Sequence, residues 1–187
     1  MAEIIDWNDV VIDDISARLL RNEVGIFPCD TIYGICAKVS EETRERIYEI
    51  KERPESKRLL VLMDKDSLER EGLLVPEEIA SLWPAPLTVI LPTAQGDTLA
   101  VRVPDDPFLS ALLPLTGPIF STSVNLSGSP ALTSIVDIIP AFKDKVDFII
   151  EKKDMKGGVG STLLDATKRP CRILRQGAYK VDENLLI

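Results

Sequence analysis

Two pairs of polar residues, each pair separated by one residue, carry the clearest chemical suggestion in this sequence. Lys51 and Arg53 fall in the run Lys51-Glu52-Arg53-Pro54-Glu55-Ser56-Lys57-Arg58, and Ser123 and Asn125 fall in Phe120-Ser121-Thr122-Ser123-Val124-Asn125-Leu126-Ser127-Gly128-Ser129-Pro130. Residues two apart on extended backbone project to the same side. Lys51 and Arg53 could therefore close on one anion, provided the helix before them has already unwound. A lysine supplies a compact charge and an arginine a bidentate fork, which together suit a polyphosphate. By the same spacing Ser123 and Asn125 direct a hydroxyl and an amide into one pocket while Val124 turns to the core. Each pair also has an ordinary structural explanation, as a solvated charge run at a helix end and as a polar turn. A third group, Asp30, Thr31 and Tyr33, follows a short apolar run ended by Pro28, at the kind of strand end where ligand sites of α/β sheets gather. The glycine and lysine spacings of a P-loop or a Rossmann fingerprint are absent.

Composition narrows the chemistry further. The chain has no histidine, which removes Ser-His-Asp and Cys-His triads and histidine-based metal sites together. Catalysis is left to Lys, Arg, carboxylates, hydroxyls, amides, the backbone, or a loosely held hard cation such as Mg²⁺. Cys29, Cys36 and Cys171 are odd in number and lack CxxC spacing, so they read as small buried apolar residues. A net charge of -8 argues against a protein that coats nucleic acid over its whole surface. The charge is uneven, however: the first thirty residues are acidic. The stretch from Lys152 to Lys180, with Lys153, Lys156, Lys168, Arg169, Arg172 and Arg175, leans basic and could attract anions locally.

These side chains must be positioned by elements that the pattern partly reveals. Length and a hydrophobic content of 45% fit one domain over residues 1–187, with no linker-like composition inside it. Ile12, Ile15, Leu19 and Leu20 recur at helical spacing, and Ser40-Glu41-Glu42-Thr43 opens a second helix that must stop before Pro54. Short helices are expected over 66–72, 76–83 and 107–113. Short apolar runs mark strands at 24–27, 59–63, 87–91, 99–103, 118–123, 146–150, 161–164 and 171–174. Residues 29–34 are read as a loop. Helices and strands interleave without strict alternation, so the fold class is α/β (α+β) with a mixed twisted β-sheet flanked by helices. The start of the chain lacks a secretion signal and the apolar runs are too short to span a bilayer. A soluble cytoplasmic protein with no membrane contact is expected.

Taken together, the blocks resemble the YrdC/Sua5 family, also called the TsaC family, of threonylcarbamoyl-adenylate synthases. In order they are Pro28-Cys29-Asp30-Thr31-Ile32-Tyr33-Gly34, Lys51-Glu52-Arg53-Pro54 with Lys57, Trp83-Pro84-Ala85-Pro86-Leu87-Thr88 and Val101-Arg102-Val103-Pro104. Ser123-Val124-Asn125-Leu126-Ser127-Gly128-Ser129-Pro130 with Thr133, Ser161-Thr162-Leu163-Leu164-Asp165 and Leu174-Arg175-Gln176-Gly177 complete the series. The resemblance implies a concave pocket, with Lys51, Arg53, Ser123 and Asn125 as its catalytic group. It implies that Thr31, Arg102, Ser123 and Ser161 hold L-threonine, and that Arg53, Lys57, Asn125, Thr133 and Arg175 hold ATP. The chain departs from the family's pattern at Cys29, where threonine is frequent, and at Arg58, often proline or glycine. It also differs at Asp106, where a histidine is frequent, and at Val124, where alanine is usual. It looks like the short, single-domain form.

The implied reaction joins L-threonine, bicarbonate-derived CO2 and ATP, accompanied by Mg²⁺, into threonylcarbamoyl-adenylate and pyrophosphate. The product would pass to a tRNA threonylcarbamoyl transferase complex, which modifies an adenosine beside the anticodon. Two other readings stand beside this one: a tRNA- or double-stranded-RNA-binding module without nucleotide turnover, and sugar-phosphate chemistry like that of dihydroxybutanone phosphate synthase. The Lys-x-Arg and Ser-x-Asn pairs argue for the adenylate synthase.

Overall fold

The computed structural model describes residues 1–55, 57–152 and 158–185. Ser56, Lys153 and Lys156, which belong to the charge runs above, lie outside the described residues. The strands are β1 (Glu3–Asp6), β2 (Gly25–Pro28), β3 (Tyr33–Lys38), β4 (Leu60–Leu62), β5 (Leu87–Pro92), β6 (Thr98–Arg102), β7 (Ile119–Ser123), β8 (Phe148–Glu151), β9 (Thr162–Asp165) and β10 (Arg172–Arg175). The helices are α1 (Ile12–Leu20), α2 (Glu41–Lys51), α3 (Lys65–Arg70), α4 (Glu77–Ala80), α5 (Pro107–Thr116) and α6 (Ile135–Phe142). The strands form one sheet in the order β1-β8-β2-β3-β7-β4-β6-β5-β9-β10. Its pairing is mixed: β8 runs parallel to β1 and β2, whereas β3 is antiparallel to both β2 and β7.

Alternation along the strands divides the apolar residues between two cores. Ile26, Ile35, Val61 and Ile149 join Ile47 and Ile50 of α2 on one face of the sheet. Their strand neighbours Phe27, Cys36, Leu62 and Ile150 join Ile15 and Leu19 of α1 and Leu109 and Leu112 of α5 on the other. Both faces are covered, so the central strands read as short unbroken apolar runs and not as alternating ones. Burying each such side chain contributes roughly 1.5–3 kcal/mol before chain entropy is set against it.

The second helix shows how local sequence directs the chain to the site. The Ser40 side chain accepts a hydrogen bond from the Thr43 amide at 3.2 Å and caps the first turn of α2. The helix stops at Lys51 because Glu52 adopts a left-handed conformation with φ 49°, two residues before Pro54.

Three elements were not foreseen. β3 occupies the middle of the sheet, where a loop was expected through Gly34; its glycine and small residues gave no strand signal, yet it is almost wholly buried. α6 carries Pro140 inside it, and a proline normally reads as a helix break. β1 is an edge strand with two exposed residues, too short and too polar to stand out.

Candidate active site

Small side chains at the centre of the sheet leave room for a cleft. Gly34 of β3 lies opposite Ser123 of β7, Ser121 opposite Leu60 of β4, and Leu60 opposite Ala100 of β6. The resulting cavity of about 220 Å³ is lined by these residues together with Thr31, Tyr33, Arg53, Arg58, Thr88, Arg102, Ser161 and Arg175, among others. A Cβ on Gly34 would lie 2.8 Å from Ser121 Oγ and 2.9 Å from the sulfurs of Cys29 and Cys36. Glycine is therefore required there by close approach.

One end of the cleft is built around Arg102. Its Nη2 is 3.0 Å from Asp30 Oδ1, and the two side chains are only 4% and 2% exposed. The pair is close but poorly aligned, because neither Asp30 oxygen nor Arg102 Nε has a hydrogen-bond partner. Burial pushes the Asp30 carboxyl above the usual carboxylate range, with the Arg102 charge opposing it. Arg102 Nη1 also donates to Thr31 Oγ1 at 3.5 Å. Ser161 is buried beside them, sharing a hydrogen bond with Thr88 Oγ1 at 2.8 Å. Arg175 Nη2 donates to the Ser161 carbonyl at 2.9 Å. Burial, and then the neighbouring Arg102 charge, lower the Arg175 pKa, a sign that this end would welcome an anion. Hydroxyls and a guanidinium in a small space suit the carboxylate and hydroxyl of a small polar molecule.

Arg53, Arg58 and Ser123 mark the other end. Arg53 Nε and Nη2 donate to the carbonyls of Lys57 at 2.9 Å and Arg58 at 2.8 Å, which locks its fork against the turn after α2. Burial lowers its pKa as well. Ser123 Oγ donates to Asn125 Oδ1 at 2.7 Å.

Lys51 and Arg53 have separate partners in the structure. Lys51 is the last residue of α2, not part of an extended segment, and the left-handed turn at Glu52 separates the two directions. Its side chain is buried, and its ammonium donates to the carbonyls of Ser123 and Asn125 and to Asn125 Oδ1. The amide of Asn125 is turned to its own loop, donating to Leu126 O at 3.0 Å and Ser129 O at 2.6 Å. Thus Ser123 and Asn125 touch each other, but only Ser123 is on the cleft wall; Val124 is fully buried in the core, as the spacing predicts. Lys57 is exposed and offers its carbonyl to Arg53 and Tyr48. Thr133 is partly buried outside the cleft lining. The structure therefore brings Thr31, Arg53, Arg102, Ser123, Ser161 and Arg175 together around one cavity, with Lys51 and Asn125 as the framework behind it.

Sequence reasoning missed Thr88, Ser121 and Arg58 as cleft residues. Thr88 had a usable signal, since a polar residue within an apolar strand commonly faces a polar partner. Among the described residues of the basic stretch, Lys152 lies over the Trp7 ring at 4.0 Å, Arg169 pairs with Glu78, and Arg175 enters the cleft, so these three serve different surroundings. Among the described residues, no group of three or more Cys, Asp or Glu side chains is placed to hold a metal ion. None of their helices is long and apolar enough to cross a membrane.

A mixed sheet with an arginine-lined cleft over its small-residue centre defines an α/β protein whose cleft has the charge to suit a small anion. Residues 17–177 match the Sua5/YciO/YrdC family model, described as telomere recombination, and the chain belongs to that family. It is 34% identical to the threonylcarbamoyl-AMP synthase of Pyrococcus abyssi over 90% of this chain and 55% of the relative. It is 34% identical to that of Bacillus subtilis over 96% of this chain and 57% of the relative. The chain thus spans little more than half the length of these two curated relatives. Among solved structures, P. abyssi Sua5 complexed with L-threonine superposes with a TM-score of 0.84 at 30% identity, covering 95% of this chain and 57% of that one. E. coli YciO shares the fold over 100% of both chains, with a TM-score of 0.85 at 22% identity.

Proposed function

We propose that this protein makes threonylcarbamoyl-adenylate from L-threonine, CO2 derived from bicarbonate, and ATP, releasing pyrophosphate. The observation that carries this reading is the make-up of the cleft: hydroxyls and Arg102 at one end, Arg53 and Ser123 at the other, with open space between them for the reacting groups. The family membership and the relatives' name, threonylcarbamoyl-AMP synthase, support it. So does the threonine bound to P. abyssi Sua5.

In the first step the neutral amine of threonine attacks the carbon of CO2, forming a C–N bond as one C=O π bond breaks and its electron pair moves to oxygen. The nitrogen releases a proton to solvent. A carbamate oxygen then attacks the α-phosphorus of ATP, and the bond from that phosphorus to the bridging oxygen of the β-phosphate breaks. Both electrons leave with pyrophosphate. Neither step needs histidine, because nucleotidyl transfer depends mainly on alignment and on cations facing the developing charge. Arg102, Thr31 and Ser161 would hold the threonine carboxylate and hydroxyl. Arg53 would face the phosphates from its own end of the cleft, Arg175 would reach them from beside Ser161, and Lys51 would keep the Ser123–Asn125 turn in shape. Mg²⁺ belongs to this scheme as the counter-ion of the nucleotide's own phosphates. A tRNA threonylcarbamoyl transferase would then consume the product.

The test is pyrophosphate release from purified protein with ATP, Mg²⁺, bicarbonate and L-threonine, with each substrate omitted in turn. Release that requires all three substrates is expected. Folded protein that releases none, or that turns over ATP equally well without threonine, overturns the reading.

A further inference from the structure

We propose that Arg58 is a further polyphosphate-contacting residue of this cleft, and that Asp97 is its exchangeable tether. The inference rests on the adenylate reading above and adds a residue at a position where the resembling family often has proline or glycine. Four arginines line the cavity: Arg53, Arg58, Arg102 and Arg175. Two of them are engaged by buried groups and a third by the backbone of its own turn. Arg102 faces buried Asp30, Arg175 is bound to the Ser161 carbonyl, and Arg53 spends Nε and Nη2 on the carbonyls of Lys57 and Arg58. Arg58 differs, because its counter-charge is at the surface. Its Nη2 lies 2.6 Å from Asp97 Oδ1, with the side chains 54% and 66% exposed, and its Nη1 donates to the Thr98 carbonyl.

An exposed pair of this kind is screened by water and salt and gives way readily to a stronger partner. A phosphate chain is such a partner, since it accepts two parallel N–H bonds from one guanidinium and carries more charge than a single carboxylate. The position fits as well. Leu60 is opposite both Ser121 and Ala100, so continuing the register two residues back along the chain brings Arg58 to the level of Ser123 and Thr98. That is the Arg53 end of the cleft. Arg102 is four residues further along β6, roughly 13 Å away at about 3.3 Å per residue. Arg58 is thereby assigned to the phosphates and not to the amino acid.

The experiment measures calorimetric binding of inorganic tripolyphosphate and, separately, of L-threonine at low salt. It compares the wild type with Arg58→Ala, Asp97→Asn and a distant control, Arg21→Ala, whose own partner is Glu23. Arg58→Ala is expected to weaken tripolyphosphate binding about tenfold, the loss of a charge-assisted contact, and to leave threonine binding unchanged. Asp97→Asn is expected to tighten tripolyphosphate binding, and Arg21→Ala to leave it unaltered. Wild-type affinity in Arg58→Ala overturns the inference, as does an equal loss in Arg21→Ala or a wild type that binds no tripolyphosphate. KM for ATP separates this inference from the adenylate reading. Threonine-dependent pyrophosphate release with an unchanged KM for ATP in Arg58→Ala removes Arg58 and leaves the reaction intact. Loss of tripolyphosphate binding in a protein without threonine-dependent turnover keeps Arg58 and removes the reaction.

Discussion

The ammonium of Lys51 reaches Asn125 twice, at 2.9 Å from its backbone oxygen and 2.9 Å from Oδ1. The end of α2 is thereby joined to the turn after β7, and the return bond from Ser127 N to the Lys51 carbonyl at 2.8 Å closes the connection. Two segments that are distant in sequence hold the Ser123 hydroxyl at the cleft wall as a unit. Charged donors buried among several acceptors rigidify a site more than a single contact does.

Lys51→Met is expected to keep the volume but leave these acceptors short of a donor, costing about 2 kcal/mol of stability and most of the turnover. Urea unfolding and pyrophosphate release measure the two effects. Wild-type turnover in the variant would remove Lys51 from the site's framework.

The same lysine makes a prediction about pH. Burial first, and repulsion from Arg53 second, lower its pKa from 10.5 to about 8. The folded chain therefore gives up this proton before the unfolded chain does. The penalty Lys51 imposes on folding is complete below about pH 8 and fades between about 8 and 10.5, where the unfolded state binds more protons. Activity is expected to move oppositely, falling above about pH 8 as the amine loses the proton that reaches Asn125. A profile of kcat/KM against pH checks this; a flat profile through that range refutes it.

Arg53→Ala is expected to lower kcat/KM about a hundredfold, a magnitude typical of removing a group that faces transition-state charge. The fold should remain, because the residue is only partly buried and its partners are carbonyls of the adjacent turn. Far-UV circular dichroism with steady-state kinetics tests both halves, and normal turnover in folded Arg53→Ala protein rules out the assignment.

Removing one member of the Asp30–Arg102 pair leaves a buried charge without its partner. Asp30→Asn is expected to cost about 3 kcal/mol. The double variant Asp30→Asn with Arg102→Met should cost less than the sum of the singles, since neither charge then remains. Additive losses in denaturant melts would show that the two side chains do not interact energetically.

Gly177→Ala tests the backbone supporting the Arg102 end. Its Cβ would lie 2.2 Å from Gly160 O and 2.4 Å from the Ser161 carbonyl carbon, both backbone atoms with little freedom to yield. A KM for threonine raised about tenfold or more is expected, as misplacing a bound group by an ångström has consequences of this order. An unchanged KM in folded protein would mean that Ser161 is not held by this contact.

Much of this architecture is written into local sequence. The stop of α2 follows from Pro54 and the residues before it, most strands from short apolar runs, and the exclusion of histidine chemistry from a simple count. The order of weak blocks along the chain pointed to the family to which residues 17–177 belong. Where side chains point after an element ends was not legible in the same way. Spacing of two placed Lys51 beside Arg53 and Ser123 beside Asn125, but that rule holds only while the backbone is extended. Helical geometry at Lys51, the left-handed residue Glu52 and the amide bonds of Asn125 to its own loop redirected them. The Asp30–Arg102 pair and the tether of Arg58 to Asp97 join residues from separate strands and turns, so no local pattern could announce them. Residue types and their local spacing specified the elements and the available chemistry. The direction of each charge was decided by non-local packing, because a buried polar group takes whichever partners the assembled sheet brings within reach.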